Sequence, residues 1–406
     1  MDSKNIANIV IIIDSFGFPY GMASTSRVRL IARGLVEKNI CITVLCVIAT
    51  EKEGGVENIV KKGSFMGIDF EYTAGTTIRS KNFWARRYYD IKGLIVAIYR
   101  LIDFKRKGEL DNIYYYGNIG HRRLYRWLFY MTANLLNTPL IIEICERPWL
   151  LEKRSVLDSY LHPLKSVNGA ITISSYLTNW AISESKKRGT KIRTLELPIL
   201  VDVDEHQPLQ KLNFESQLTV VFAGSSKYDE TLRFILDSMK VVWQRFPNCQ
   251  LVITGNRTKD PSIDWLINYL DNHSIHDKVN IAGYLTRADL LHLYQSASAL
   301  LIPLFDDIRS HARFPTKIGE YLCSCTPVVT TRVGEISRYF TDNENSFICD
   351  PGDSQLYGNK IMEAIDPSNQ KFTRQIGQKG REIAEIQFNY KNHRQSLVNF
   401  FTSFSS

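Results

Sequence analysis

The sequence contains no CxxC pair, no HExxH and no Cys/His cluster at metal-ligand spacing, so none of these signatures points to a bound metal. None of its apolar runs reaches the roughly 18 residues needed to span a bilayer. The first run, Ile9 to Ile13, is cut at once by Asp14, unlike a signal peptide. No tract is of low complexity. The seven cysteines, Cys41, Cys46, Cys145, Cys249, Cys323, Cys325 and Cys349, are odd in number, and several sit inside apolar runs. They read as reduced, mostly buried thiols, which suits a cytoplasmic protein, peripheral to a membrane at most.

What is present is ordinary globular material: 44% hydrophobic and 23% charged residues argue against a disordered chain. A length of 406 residues exceeds one typical core, and two domains of roughly 200 residues each are expected. The formal charge of +8 is unevenly spread. Residues 1–200 hold 29 Lys and Arg against 18 Asp and Glu, a surplus of +11, and the remainder holds 21 against 24. A basic half implies an anionic partner, either nucleic acid or a membrane surface. No recognised DNA or RNA module accompanies the charge, so nucleic acid is set aside.

Apolar runs and helical periods alternate along the chain. Strands are predicted at 7–13, 40–48, 67–72, 112–116, 139–144, 170–173 and 191–197, with helices at 24–37, 84–107, 121–137 and 175–187. Pro198 to Ser216, with two prolines and no sustained period, reads as a connection. Strands at 218–223, 250–254, 279–282 and 299–302 follow, with helices at 230–246, 287–296, 354–365, 372–386 and 390–404. This alternation predicts an α/β protein of two Rossmann-like, doubly wound domains facing each other across a cleft. The expected divisions are 1–200, 201–385 and a terminal segment 386–406 that packs back toward the first domain.

The most informative stretch is Arg313-Phe-Pro-Thr-Lys-Ile-Gly-Glu320-Tyr-Leu, followed by Thr326-Pro-Val-Val and Val333-Gly-Glu335. Pro315 suits a first helical position, and a helix starting there would aim amides and its positive dipole end at an anion. Lys317 and Glu320, three apart, share a helix face beside Arg313. Cations and amides there could take a diphosphate while Glu320 accepts hydrogen bonds from ribose. The plainer alternative is an exposed helix ion pair between Lys317 and Glu320.

Together with Val221-Phe-Ala-Gly224, Leu251-Val-Ile-Thr-Gly255, Val279-Asn-Ile-Ala-Gly283-Tyr284 and Asp350-Pro-Gly-Asp353, these motifs resemble the donor half of retaining GT-B glycosyltransferases of family 4 (glycosyl transferases group 1). Leu197-Pro198 before Val201-Asp202 resembles that family's inter-domain strand, and Gly21 with Arg27-Val28 its first glycine loop. The resemblance covers nearly the whole chain. It implies a nucleotide-diphosphate sugar as co-substrate, with no cofactor and no metal. It also implies donor contacts at Gly21, Gly224, Ser225, Lys227, Gly255, Gly283, Tyr284, Pro315, Thr316, Ile318 and Glu320, and catalytic roles for Lys317, Arg313 and Glu146.

The chain departs from the family pattern in two places. The first carboxylate of the family's Glu-x7-Glu pair falls on Ala312, and its diphosphate-binding Arg on Ser225-Ser226, with Glu230 near its Lys. Lys227, Arg313 and Lys317 are then expected to supply the missing positive charge. Cations and helix amides would stabilise the leaving diphosphate. The acceptor hydroxyl would attack the same face of the sugar, and the departing phosphate could take its proton.

In the basic half, Glu146 lies in the acidic loop Glu143-Ile-Cys-Glu146 and is expected to touch donor sugar or acceptor. The alternative is a surface carboxylate paired with Arg147 or Arg154. His121, after Gly117 and Gly120, is an acceptor-side candidate, although a lone His after a loop is commonly structural. The segments Trp84 to Arg100 and Arg122 to Tyr130 mix cations with aromatics, as interfacial segments do, or are core helices with solvated basic ends. The surplus of +11 favours contact with an anionic membrane, as a lipid-linked acceptor would require.

The expectation is a retaining, metal-independent glycosyltransferase acting on a glycan or lipid-linked acceptor in bacterial surface polysaccharide synthesis, the glycan context coming from the resemblance. A GT-B epimerase or hydrolase, and a non-catalytic sugar-nucleotide-binding subunit, stay open. An NAD-dependent oxidoreductase is disfavoured, because Gly17-Phe-Pro-Tyr-Gly21 lacks the GxGxxG spacing.

Overall fold

Two sheets organise the chain in a computed structural model that describes residues 7–53, 55–117, 123–146, 162–165, 167–206, 218–255 and 263–404. The first contains β1 (Ala7–Ile13), β2 (Ile40–Cys46), β3 (Lys62–Phe65), β4 (Ile68–Tyr72), β5 (Asn112–Tyr116), β6 (Leu140–Ile144), β7 (Gly169–Thr172) and β8 (Arg193–Glu196). Their order is β3-β4-β2-β1-β5-β6-β7-β8, parallel except for β3 against β4. β1 is paired on both edges, by β2 and β5, and successive residues pointing to opposite faces are buried, so both faces are covered and its run is apolar without alternation.

The second sheet contains β9 (Thr219–Ala223), β10 (Gln250–Thr254), β11 (Val279–Gly283), β12 (Ala299–Ile302), β13 (Val328–Thr331) and β14 (Phe347–Cys349). Its order is β11-β10-β9-β12-β13-β14, with every pairing parallel. Helix Asp229–Arg245 covers it with the stripe Leu232, Ile235, Leu236, Met239, Val242 and Trp243, all buried. The architecture is thus α/β with two doubly wound parallel sheets.

Two compact units result: Met1–Leu200 with Tyr390–Ser406, and Val201–Asn389. Within the first unit, the terminal residues pack on helix Ala23–Val36. Tyr390 Oη donates to Glu37 Oε1 at 2.7 Å, Arg394 Nη1 to Glu37 Oε2 at 2.8 Å, and the Tyr114 and Phe401 rings meet edge to face at 5.7 Å.

Several elements differ from the sequence reading. The edge strand β3 has no apolar run. It exists because Met66 (φ 53°) and Gly67 (φ 77°) form a tight turn with positive φ at both central residues, which folds Lys62–Phe65 back on β4. The short β14 and the helices Asp264–Asn272 and Ile308–Ala312 lacked a sustained period. Residues 390–404 are not one helix: a 3₁₀ turn, Tyr390–His393, precedes Arg394–Thr402. Cys41 is exposed on β2, while Cys46, Cys249, Cys323 and Cys349 are buried, and none of the seven is in a disulfide. Among the described residues, no helix is long and apolar enough to cross a membrane.

Candidate functional site

In the second unit the carboxyl ends of β9, β10 and β11 converge. Gly255 leaves β10 with φ 90°, a conformation that glycine adopts without strain, and its N–H donates to Gly283 O at 2.7 Å. A Cβ on Gly255 would lie 3.4 Å from Ser225 N, so Gly224-Ser225, Gly255 and Gly283 form one glycine-lined rim. Tyr284 and Lys227 are exposed beside these strand ends.

Helix Lys317–Cys323 is fixed to the same rim, because Ala223 N donates to the buried Tyr321 Oη at 2.9 Å. The helix begins at Lys317 and not at Pro315. Ile318 N reaches Pro315 O at 3.1 Å and Gly319 N reaches Thr316 O at 3.2 Å, a tighter lead-in turn, and Thr316 makes no side-chain cap. Ile318 is buried and its N–H is taken by Pro315 O, so its side chain serves the core. At the other end, Arg381 Nη1 donates to Cys323 O at 2.6 Å, a cation at the negative end of the helix, and to His206 O at 2.8 Å.

Lys317 and Glu320 do not form the simple helix pair. Glu320 Oε1 accepts from Arg287 Nη1 at 2.7 Å. Arg287 Nη2 lies 3.2 Å from His206 Nε2, and His206 Nδ1 lies 2.8 Å from Asp202 O. Arg287 can only donate, so Nε2 accepts and Nδ1 carries the proton, which makes His206 neutral. Burial and the Arg287 charge lower the His206 pKa, although the hydrogen bond to Asp202 opposes this. Burial likewise lowers the Lys317 ammonium below its usual range, against the pull of Glu320 and with the repulsion of Arg287. The result is a patch with two cations, one carboxylate and a neutral imidazole, suited to an anion bearing hydroxyls.

Arg313 stands just ahead of helix Lys317–Cys323, where its charge also reaches Asp307. Burial would raise the Asp307 carboxyl, but hydrogen bonds from Ser310, with Arg313 and Arg309 nearby, hold it below its usual range. The last residue of helix Ile308–Ala312, Ala312, is buried, and Arg313 caps the helix at its C-terminal end. Among the described residues, no group of three His, Cys, Asp or Glu is placed to hold a metal ion.

The first unit carries a second polar cluster, at the ends of β5 and β6. Glu143, read as part of an acidic loop, is the penultimate residue of β6 and is buried. Its Oε1 accepts from Arg27 Nε at 2.9 Å and its other oxygen from Tyr114 Oη. Arg27 also donates to the carbonyls of Pro198 at 2.6 Å and Leu197 at 2.8 Å. Burial opposes the Arg27 charge, but Glu143, together with Cys145, Tyr116 and Tyr114 around it, outweighs burial and the guanidinium is held above its usual range. Arg27, expected in a glycine loop, is therefore a buried strut of helix Ala23–Val36. Gly21 packs where a Cβ would meet Thr25 Oγ1, itself bonded to Gly17 O at 2.9 Å. Glu146 is exposed just past β6, while His121, Arg147 and Arg154 lie outside the described residues.

Arg287 and His206 escaped the sequence reading. Arg287 follows Thr286, which caps helix Arg287–Ser296, and nothing local marks either residue as a site.

Comparison with known proteins gives this geometry a family context. Residues 204–383 match the model for glycosyl transferases group 1. No curated protein matches the chain. Among solved structures, the chain is similar to sucrose-phosphate synthase from Thermosynechococcus elongatus at 14% identity and a TM-score of 0.73, covering 98% of each chain. It is also similar to Anabaena HepE in complex with UDP-glucose, at 14% identity and a TM-score of 0.67 over 97% of this chain and 99% of that one. An E. coli trehalose-6-phosphate protein bound with UDP-2-fluoro glucose resembles it at 11% identity and a TM-score of 0.65, over 98% and 99% of the two chains. The fold is GT-B, the second unit carries a glycosyl transferases group 1 domain, and the protein is a glycosyltransferase.

Proposed function

We propose that the protein transfers a sugar from a uridine-diphosphate donor to a glycan or lipid-linked acceptor, in surface polysaccharide synthesis, with retention of anomeric configuration and without a metal. The observation that carries this is the Lys317, Arg287 and Glu320 patch beside the glycine rim of β9, β10 and β11. Nucleotides bind at such carboxyl edges of open α/β sheets. UDP is chosen because the similar HepE and E. coli structures hold UDP-sugars.

Within this reading the rim admits the diphosphate backbone closely, Lys317 and Arg287 face its charge, and the free oxygen of Glu320 takes a ribose hydroxyl. The two cations stabilise the leaving UDP as negative charge develops on it. Lys227 and Arg313 would add charge at the periphery. Glu146 in the first unit would position sugar or acceptor.

The test is UDP release from a panel of UDP-sugars with and without candidate acceptors in chelator, with the product's anomeric configuration read by NMR. Release that depends on acceptor and gives the donor's own configuration is the expected result. Release equal in the absence of acceptor would favour a hydrolase, and an inverted product or a strict metal requirement would refute the mechanism.

A further inference from the structure

We propose that the first unit docks on an anionic lipid bilayer through the outward faces of helices Phe83–Lys107 and Arg123–Leu135. The first of these helices already has a core face: Asp90, Gly93, Leu94, Ala97 and Leu101 are buried. At Gly93 the backbone approaches so closely that a Cβ would lie 1.9 Å from Val47 O, which fixes that face against the fold. The far side of such a helix is ordinarily polar. Here it carries Trp84 (78% exposed), Tyr88, Ile91, Ile95 (62% exposed) and Tyr99, at steps of three and four residues. At about 100° per residue these five fall within an arc of about 80°.

Helix Arg123–Leu135 lies against it and repeats the pattern with Leu124, Trp127, Met131 and Leu135, all exposed. Single exposed apolar residues are commonplace, but a stripe on each of two neighbouring helices is the kind of apolar exposure that marks an interaction surface.

Charge selects the partner. Helix Phe83–Lys107 has seven Lys and Arg and only two acids. Of the acids, Asp90 is buried, and Asp103 is paired with Lys107 at 2.7 Å. By the same helical geometry, Arg87 and Lys105 border the apolar arc on one side and Lys92 on the other, and Arg106 extends it beyond Tyr99. Trp and Tyr between Lys and Arg is the composition of elements lying at headgroup depth. A second copy of this chain would bring the same basic borders against themselves, and the repulsion disfavours a symmetric dimer here. Since no described helix can cross a bilayer, the face lies on the surface and does not span it.

The test is flotation of the full chain, without donor or acceptor, on vesicles of equal parts phosphatidylglycerol and phosphatidylcholine, and on phosphatidylcholine alone. A negative result therefore bears on this face and not on the transferase reading. Binding to the anionic vesicles that weakens with salt, with a blue shift of tryptophan emission, is expected. Ile91→Glu with Ile95→Glu should lower partitioning about tenfold or more, because apolar burial is lost and carboxylates meet anionic lipid. Both positions are exposed, so the variant should keep the parent's thermal midpoint. Lys105→Glu with Arg106→Glu, which leaves the apolar stripe intact, should lower anionic binding by a similar factor. The absence of binding to either vesicle, or binding indifferent to both double variants, would overturn the proposal. So would sedimentation showing a dimer that Ile91→Glu with Ile95→Glu dissociates, since a second copy would then own the face.

Discussion

Lys317 sits where burial and the neighbouring Arg287 both work against its charge, and only Glu320 favours it. An ordinary lysine titrates at about 10.4, and a lowered value moves the loss of charge toward neutral pH. A diphosphate interacts with the ammonium form, so donor binding takes up a proton once the free site has begun to lose it. Affinity for UDP should therefore fall as pH rises through the alkaline range, starting at lower pH than for an unperturbed lysine. Calorimetric titration between about pH 7 and 10 would read this, and Lys317→Arg, which does not titrate there, should flatten the profile. A profile unchanged by Lys317→Arg would remove Lys317 from the site. The Lys317 and Glu320 spacing was legible in the sequence because a helix face repeats locally. Arg287 was not, since it reaches Glu320 across 33 residues, and His206 lies 81 residues from Arg287. Only the folded sheet brings those three together.

At the level of elements, the Arg27 and Glu143 pair joins helix Ala23–Val36 to β6 and to the carbonyls of Leu197 and Pro198. Both side chains are almost wholly enclosed, at 2% and 0% exposure. Removing one partner strands the other's charge, and Arg27→Met should cost about 3–5 kcal/mol in denaturant unfolding. Arg27→Met with Glu143→Leu should be less destabilising than the sum of the two single changes, because no buried charge is left alone. Additive losses would mean that the pair is not coupled. Most strand positions were readable from unbroken apolar runs, yet the lone carboxylate in Leu-Ile-Ile-Glu-Ile, inside the expected strand 139–144, was read as the start of the acidic loop. An acid inside a strand covered on both faces requires a buried cation, and that requirement was the available signal. Its partner stands 116 residues away and had no local mark. The edge strand β3 was missed for the opposite reason: turn geometry creates it, and apolar content does not.

For the whole molecule, the two α/β units follow from periodicity that survives over hundreds of residues, which is why the architecture was readable while the site was only half so. The basic surplus of residues 1–200 and the nucleotide-type patch of residues 201–389 belong to different units, so anion binding by each can be measured separately. The central claim is that the second unit holds a uridine diphosphate on Lys317, Arg287 and Glu320. Thermal unfolding with UDP, GDP, ADP and CMP, each near millimolar, tests it most directly. A ligand at 100 times its Kd adds roughly 2.7 kcal/mol, enough for a shift of about 5–10 °C in a unit of this size. The account predicts such a shift with UDP, larger than with the other nucleotides and lost in both Lys317→Ala and Glu320→Ala. An equal response to all four, no response to any, or a UDP shift that survives both substitutions would contradict it.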